Sequence, residues 1–144
     1  INSVTRAFGK LLVGDQMGGN IGELDINTFD EYGETFIWDW YSSPFQQDGL
    51  TFFNSDLELF MEAGVGLANG VGSDPKVSYT RSDHGGPFSN ATTRSYGKIG
   101  RYAQRTIWRK QGRVSISRTV RFFGSAPVKR NLLKLVANAR AGSM

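Results

Sequence analysis

The chain has 144 residues, 39% of them hydrophobic and 12% aromatic, with 18 glycines, which suits a single turn-rich all-β domain over residues 1–144 better than a helical one. It contains no cysteine, no apolar run near the ~20 residues that span a bilayer and no signal-peptide pattern, which excludes a disulfide framework, a thiolate metal site and a membrane-spanning helix. The net charge is +4, but the charges are unevenly distributed along the chain. Residues 1–93 hold all 13 acids and only four bases, whereas residues 94–144 hold the other 13 bases and no acid.

The first predicted element is a β-hairpin within residues 1–24. A strand at 8–14 leads into a turn at 15–20, and residues 21–24 form the return strand. The turn is rich in Gly and Asn, which adopt the positive φ angles that tight reversals need. The order Gly-Asp…Gly-Asn-Ile-x-Glu-Leu-Asp is also typical of the inner strands of a propeller blade. The predicted fold class is therefore mainly β, with antiparallel sheets in a β-sandwich or a partial β-propeller and with long loops.

An aromatic strand is predicted at residues 35–41. Alternation places Phe36, Trp38 and Trp40 on one face of this strand, as expected when one side is buried. Packing in a core or an interface is the favoured role for these rings, and a platform that stacks on sugars is the alternative.

A longer strand is predicted at residues 50–62, where acidic and apolar positions lie on opposite faces. Its acids Asp56, Glu58 and Glu62 face away from the apolar side. Carboxylates on one face can bind a metal or act as acid and base, but no histidine accompanies these three. A solvated surface, or one paired with arginines, is the preferred interpretation.

The middle of the chain carries no catalytic pattern. Residues 63–75 are rich in glycine but lack the Gly-x-Gly-x-x-Gly spacing of a dinucleotide site, and they predict a loop. A short strand follows at 76–81, and a turn at 82–86 holds His84, the single histidine. Because there is no cysteine and no residue placed to orient His84, no nucleophile–base pair is predicted, and we expect no enzyme activity.

Residues 96–129 predict a basic β-hairpin that contains no acid. One face of each strand is apolar, although Arg118 interrupts the apolar face of the second strand. Residues 110–112 are predicted as the reversal, with Gly112 at positive φ, and Pro127 ends the second strand because proline cannot donate to a ladder.

The basic half continues beyond this hairpin. Residues 132–136 continue a strand or begin a short helix, and residues 139–144 are expected to fray. The division of charge favours a charge match, within the chain or with the next copy in a ring, over direct binding of DNA, because complementary charge is what orients interfaces. A lone chain with such neighbours is expected to expose more apolar area than a monomer does.

Several short segments resemble, in the same order, segments of one protein family. The turn Ser-Asp-His-Gly-Gly…Ser-Asn resembles Ser-Asp-Asp-Gly-Gly…Ser-Asn, and Gly-Lys-Ile-Gly-Arg-Tyr resembles Gly-Lys-x-Gly-Glu-Tyr. Arg-Thr-Ile-Trp-Arg-Lys-Gln-Gly, followed by two arginines and Pro-Val-Lys, is similar to Arg-Val-x-Trp-Arg-Arg-Leu-Gly…Arg…Arg…Asp-Pro-Val-Lys. These motifs occur near the C-terminal end of the packaged-DNA-stabilisation proteins of short-tailed bacteriophages, also called tail-hub or nozzle proteins. They lie here at residues 82–90, 97–102 and 105–129, and segments at 12–25 and 62–66 fit the same family.

The resemblance implies a structural virion protein of the phage tail rather than an enzyme. Such proteins form a ring, usually a homohexamer, below the portal and adaptor, and the ring continues the DNA channel and retains the packaged genome until ejection. The implied partners are other tail proteins and the genomic DNA in the lumen, with assembly in the host cytoplasm and no cofactor, metal or membrane. Family members have several hundred residues and contain a β-propeller, so this chain is either a reduced relative or the C-terminal part of a longer tail-hub protein. The chain departs from the family pattern at His84 and Ala126, each in place of an Asp, at Phe88 in place of a Trp, and at Arg101 in place of an acid.

The charge division indicates how such a ring would be held together. An acidic face of one copy is predicted to meet the arginine-rich hairpin of its neighbour in a head-to-tail interface. The residues predicted at this interface are Arg105, Arg109, Arg118, Arg121, Trp108, Asp56, Glu58 and Glu62.

Two other functions stay open on the residues alone. One is a nucleic-acid-binding β module in which Tyr102, Trp108 and the arginines contact bases and phosphates. The other is a carbohydrate-binding or carbohydrate-acting tail domain that uses Trp38, Trp40 and the acids.

Overall fold

The computed structural model describes residues 1–142, which form strands, turns and loops. The main body is a sandwich of two antiparallel sheets, and the N-terminal strands form a smaller antiparallel sheet. The predicted mainly β fold is confirmed, and the sandwich is the one of the two predicted architectures that is observed. Within residues 1–142 no helix is long and apolar enough to cross a membrane. The strands are β1 Ser3–Ala7, β2 Lys10–Gly14, β3 Ile21–Glu23, β4 Trp38–Tyr41, β5 Phe45–Gln46, β6 Phe52–Met61, β7 Lys76–Asp83, β8 Thr92–Ser95, β9 Thr106–Val114, β10 Ser117–Gly124 and β11 Leu132–Ala141.

The N-terminal sheet has the order β1-β2-β3. The predicted hairpin is present as β2 and β3, but its first strand begins at Lys10 rather than at residue 8. Phe8 and Gly9 instead form a two-residue turn between β1 and β2, and both have positive φ, which is the geometry that closes a tight hairpin. No residue before Phe52 is buried, so this sheet adds nothing to the core.

The larger sheet of the sandwich has the order β4-β10-β7-β8, with the short β5 also beside β10, and the smaller sheet has the order β11-β6-β9. Alternate residues of the central strands point into the space between the sheets, where they form one apolar cluster. The rings of Tyr79, Trp108 and Phe122 lie 5.2 to 5.5 Å apart within it. The buried members are Leu57, Leu59, Val77, Tyr79, Tyr96, Trp108, Val120, Phe122 and Val128.

The basic hairpin predicted for residues 96–129 is wrong in its pairing. β9 pairs with β6, whereas β10 pairs with β7, β4 and β5, so the two strands belong to opposite sheets. Their apolar faces lie against each other, with the rings of Trp108 and Phe122 5.3 Å apart. Alternation identifies the buried side of each strand, and that side is the same whether two strands pair edge to edge or stack face to face.

The reversal predicted at residues 110–112 is instead a β-bulge inside β9. Lys110 and Gly112 have φ angles of 57° and 79°, and Lys110 and Gln111 together stand opposite the single residue Ser55 of β6. Positive φ at Gly112 is therefore confirmed, but it serves a bulge, which uses such angles as a turn does. The extra residue shifts the alternation of β9, and the Gln111 side chain is buried.

The last strand, β11, extends the smaller sheet along the whole of β6. The strand alternative for residues 132–136 is confirmed, and β11 continues to Ala141. Residues 139–141 are therefore paired rather than frayed, while residues 143–144 lie outside the part that the structure describes. The strands predicted at 35–41, 50–62 and 76–81 correspond to β4, β6 and β7, and the loop predicted at 63–75 contains no strand.

Candidate interaction surface

An ion pair with a buried arginine joins β7 and β10 in the larger sheet. Arg118 of β10 is only 1% exposed, in line with its place on the apolar face of its strand. Its Nε and Nη2 donate to the two carboxylate oxygens of Asp83, its cross-strand neighbour on β7, at 2.6 and 2.9 Å. Its Nη1 donates to the Gln111 carbonyl at 2.9 Å. These bonds replace the lost hydration of Arg118, and the guanidinium hydrogen bonds hold the pKa of Asp83 below its usual range.

Gln111 connects this ion pair to the aromatic core. The Tyr79 hydroxyl donates to Gln111 Oε1 at 2.7 Å, and Arg81 Nη1 donates to the Gln111 carbonyl at 2.8 Å. Burial raises the pKa of Tyr79, so this hydroxyl remains a donor. The sequence did not predict the hydrogen bonds of Gln111, because its side chain reaches the interior only as a result of the bulge. The neighbouring Gly112 was the one sequence signal for that bulge.

Acids of the first half of the chain pair with bases of the second half. Nε and Nη2 of Arg105 each donate to a carboxylate oxygen of Glu58 at 2.7 Å, and these hydrogen bonds hold the pKa of Glu58 below its usual range. The two halves alternate within each sheet, since β6 lies between β9 and β11, and β10 lies between β4 and β7. The charge division is thus matched inside the chain by the pairs Asp39–Arg121, Glu58–Arg105, Glu62–Lys129 and Asp83–Arg118.

Four of the eight predicted interface residues are the charged ones on β6 and on or next to β9, namely Asp56, Glu58, Arg105 and Arg109. Glu58 and Arg105 meet each other in the same chain, as described above. Asp56 accepts a hydrogen bond from Asn138 Nδ2 at 2.5 Å and stands opposite Arg109 in the strand register. Arg109 is exposed and makes no ion pair within residues 1–142. Among the predicted interface bases, Arg109 is therefore the one whose charge is available to pair with another molecule.

The other four predicted interface residues have partners within their own chain. Trp108 is buried and donates its indole N–H to the Thr92 carbonyl at 3.2 Å, so it offers no ring face to a nucleic-acid base. Arg118 is buried in its pair, and Arg121 and Glu62 each have an ion-pair partner in the same chain. A role of the eight residues at a subunit interface stays a prediction.

The aromatic strand β4 is an edge strand of the larger sheet, where it pairs with β10. The Trp40 ring stacks on Phe122, with centroids 6.0 Å apart and an interplanar angle of 23°. Trp38 packs against the apolar cluster from the same face, as the alternation predicts. Trp38 therefore contributes to the core, whereas Trp40 is 41% exposed at the edge of the sheet.

The outward face of the smaller sheet places basic side chains over two phenylalanines. The Cζ atom of Arg140 lies 5.8 Å from the ring centre of Phe53, and Lys134 Nζ lies 4.5 Å from that of Phe60. Each pair consists of register partners on β11 and β6. Sequence reasoning missed both contacts because they depend on the register of two strands about 80 residues apart in the chain.

Large apolar side chains are exposed in the N-terminal part of the chain. Phe8, Met17 and Ile26 are 95%, 93% and 88% exposed, and Ile21 of β3 is 76% exposed. Such side chains are ordinary when they stand singly, whereas a continuous patch of them marks an interaction surface. The expectation that the lone chain exposes more apolar area than a monomer does stays a prediction.

Together these features define a β-sandwich domain in which acids of the first half of the chain pair with bases of the second half. Residues 37–140 match the family described as Bacteriophage P22 Gp10, beta-sandwich, and the chain belongs to that family. This is a tail-hub or nozzle family of short-tailed phages, so the resemblance is confirmed, and the chain is a structural protein of the virion. The match begins one residue before β4 and ends one residue before the end of β11, so it covers the sandwich and leaves the N-terminal sheet outside. No curated protein matches the chain closely enough to be compared with it.

Proposed function

We propose that the chain is part of the phage tail hub, the nozzle below the portal and adaptor, where its copies form a ring that continues the DNA channel and retains the packaged genome. The observation that supports this proposal is the family match, whose limits coincide with those of the sandwich. In this role the protein forms part of the channel wall, which requires no reaction, cofactor or metal. In this proposal the chain is one all-β domain, the C-terminal part of a longer tail-hub protein.

A head-to-tail interface closes a ring when two different patches of the same chain meet. One candidate patch is the N-terminal region, where exposed apolar side chains lie near Asp25, Asp30, Glu31 and Glu34 in the sequence. These four acids make no ion pair within residues 1–142. The second candidate patch is the outward face of the smaller sheet around Arg109. Their opposite charge favours contact between unlike patches over contact between like ones.

The predicted interface residues have separate tasks in this proposal. Arg109 contacts an acidic surface of the next copy. The pair of Arg105 with Glu58 stays within its own chain and keeps the outward face of the smaller sheet in a fixed arrangement, which lowers the entropy cost of docking.

The test is native mass spectrometry of the purified protein over a range of salt concentrations. A closed oligomer, a hexamer in this proposal, should be present at low salt and dissociate as salt rises, because the Debye length falls from about 10 Å at 0.1 M to about 3 Å at 1 M. Arg109→Glu should dissociate the ring at lower salt, whereas the matched change Arg101→Glu at another exposed arginine should not. A monomer at every concentration, or a ring indifferent to salt and to Arg109→Glu, contradicts the proposal.

A further inference from the structure

A recess of 290 Å³ opens between the loop that precedes β8 and the bulge of β9. Three of the residues that line it are basic, namely Arg81, Arg109 and Lys110, and none is acidic. The polar side chains of Ser89 and Asn90 line the same recess. A concave site lined by basic and polar side chains, with an excess of positive charge, suits an anion.

Arg81 is held in place at the floor of the recess. Its Nη1 donates to the Gln111 carbonyl at 2.8 Å and reaches Gln111 Oε1 at 3.3 Å. Among residues 1–142 the hydrogen bonds of the Arg81 side chain come from Nη1, and Arg81 forms no ion pair there. The guanidinium is thus oriented by the protein while part of its donor set is left for a ligand.

Lys110 stands at the rim of the recess in a strained backbone conformation. Its φ of 57° lies in the left-handed region, which lysine rarely adopts, and the bulge of β9 is what keeps it there. The ammonium group makes no ion pair within the described residues. Bulges that re-aim a charged side chain, and backbone strain that persists, both occur at binding sites more often than elsewhere.

We propose that this recess binds a phosphate group, with Arg81 and Lys110 as its charged donors and Asn90 as a neutral one. A phosphate carries more charge and more acceptor oxygens than a carboxylate, which suits donors that approach from different directions. The same oxygens occur in free phosphate-bearing solutes and in the backbone of DNA, so the chemistry of the site is common to both sources. The proposal does not depend on the tail-hub ring.

The test is isothermal titration calorimetry of the intact chain with inorganic phosphate at constant ionic strength. The native protein should show saturable binding, and Lys110→Asn should weaken it about tenfold, the loss expected for one charge-assisted hydrogen bond. Asparagine tolerates the left-handed conformation, so this variant should keep the thermal midpoint of the native protein. The matched control is Arg113→Gln, which removes the same charge from β9 outside the recess and should leave phosphate binding unchanged.

A competing ligand identifies the source of the phosphate. A short DNA duplex that displaces inorganic phosphate supports a site for the DNA backbone, and a duplex that fails to compete supports a site for free phosphate-bearing solutes. The proposal is overturned if phosphate shows no saturable binding, if acetate binds as well as phosphate does, or if Arg113→Gln weakens binding as much as Lys110→Asn.

Discussion

Replacing Asp83 by asparagine should destabilise the protein strongly, because it leaves the buried charge of Arg118 without its counter-ion. Arg118 is 1% exposed and donates two hydrogen bonds to this carboxylate, at 2.6 and 2.9 Å. Removing one partner of a buried ion pair costs about 3–5 kcal/mol. The Asp83 side chain is 35% exposed and an asparagine oxygen can still accept one bond, so we expect a loss of about 2–3 kcal/mol.

The loss is measured by urea denaturation, as a fall in the midpoint at an unchanged slope. The matched control is Asp39→Asn, which breaks the ion pair with Arg121 on the same strand β10. That pair is 3.1 Å long with both side chains partly exposed, and it should contribute less than about 1 kcal/mol. If the two variants lose equal stability, burial of Arg118 does not set the strength of its pair and the reasoning is refuted.

A second variant separates the charge effect from a general loss of packing. Arg118→Met should cost less in the Asp83→Asn background than in the native protein, because the charge that it removes is already unpaired there. A double-mutant cycle measures this coupling, and we expect about 1 kcal/mol or more. A coupling near zero would mean that the two side chains contribute independently.

Three further predictions concern pH, the bulge and the core. Because Arg118 lowers the pKa of Asp83 in the folded state, the pair contributes fully above the unfolded value of about 3.9 and is lost as the pH falls through the folded value, so stability measured on acidification should decline more steeply for the native protein than for Asp83→Asn. Gly112→Ala should lower the unfolding free energy by about 1 kcal/mol, since φ is 79° and no atom lies within 4 Å of the added Cβ. Phe122→Ala should cost about 4 kcal/mol in the same denaturation assay, because the ring is fully buried between Tyr79 and Trp108.

Each of these predictions has an outcome that contradicts it. If the stability of the native protein and that of Asp83→Asn fall in parallel as the pH is lowered, the pKa of Asp83 does not differ between the folded and unfolded states. Gly19→Ala is the control for the bulge, since Gly19 also has open space around its Cβ but no positive φ, and equal losses would remove the backbone argument. Phe88→Ala is the control for the core, because Phe88 is exposed, and a similar loss there would show that burial does not decide the cost.

The elements of the fold follow from local patterns, and their partners do not. Alternation and turn residues predicted β2, β3, β6 and β7, because these signals lie within a few residues of one another. The same signals did not reveal that β9 and β10 belong to opposite sheets. Gly112 shows the limit most clearly, since positive φ at one glycine serves a turn and a bulge alike. Only the pairing with β6 decides between them.

The types of residue that pair in the candidate surface were predictable from the sequence, but their positions relative to one another were not. The sequence indicated that acids of one half meet arginines of the other, and Glu58 with Arg105 is such a pair. Whether two charges meet within a chain or between copies depends on strand order, which the charge pattern does not contain. The contacts of Arg140 with Phe53 and of Lys134 with Phe60 were not predicted either, because each contact joins strands far apart in the sequence.

Imaging of the intact phage particle by cryo-electron microscopy tests the central claim most directly. The tail-hub proposal predicts that the sandwich repeats around the tail axis below the portal and adaptor, with Arg109 of each copy against an acidic surface of the next. Density for the sandwich elsewhere in the particle, or in single unconnected copies, would contradict the proposal.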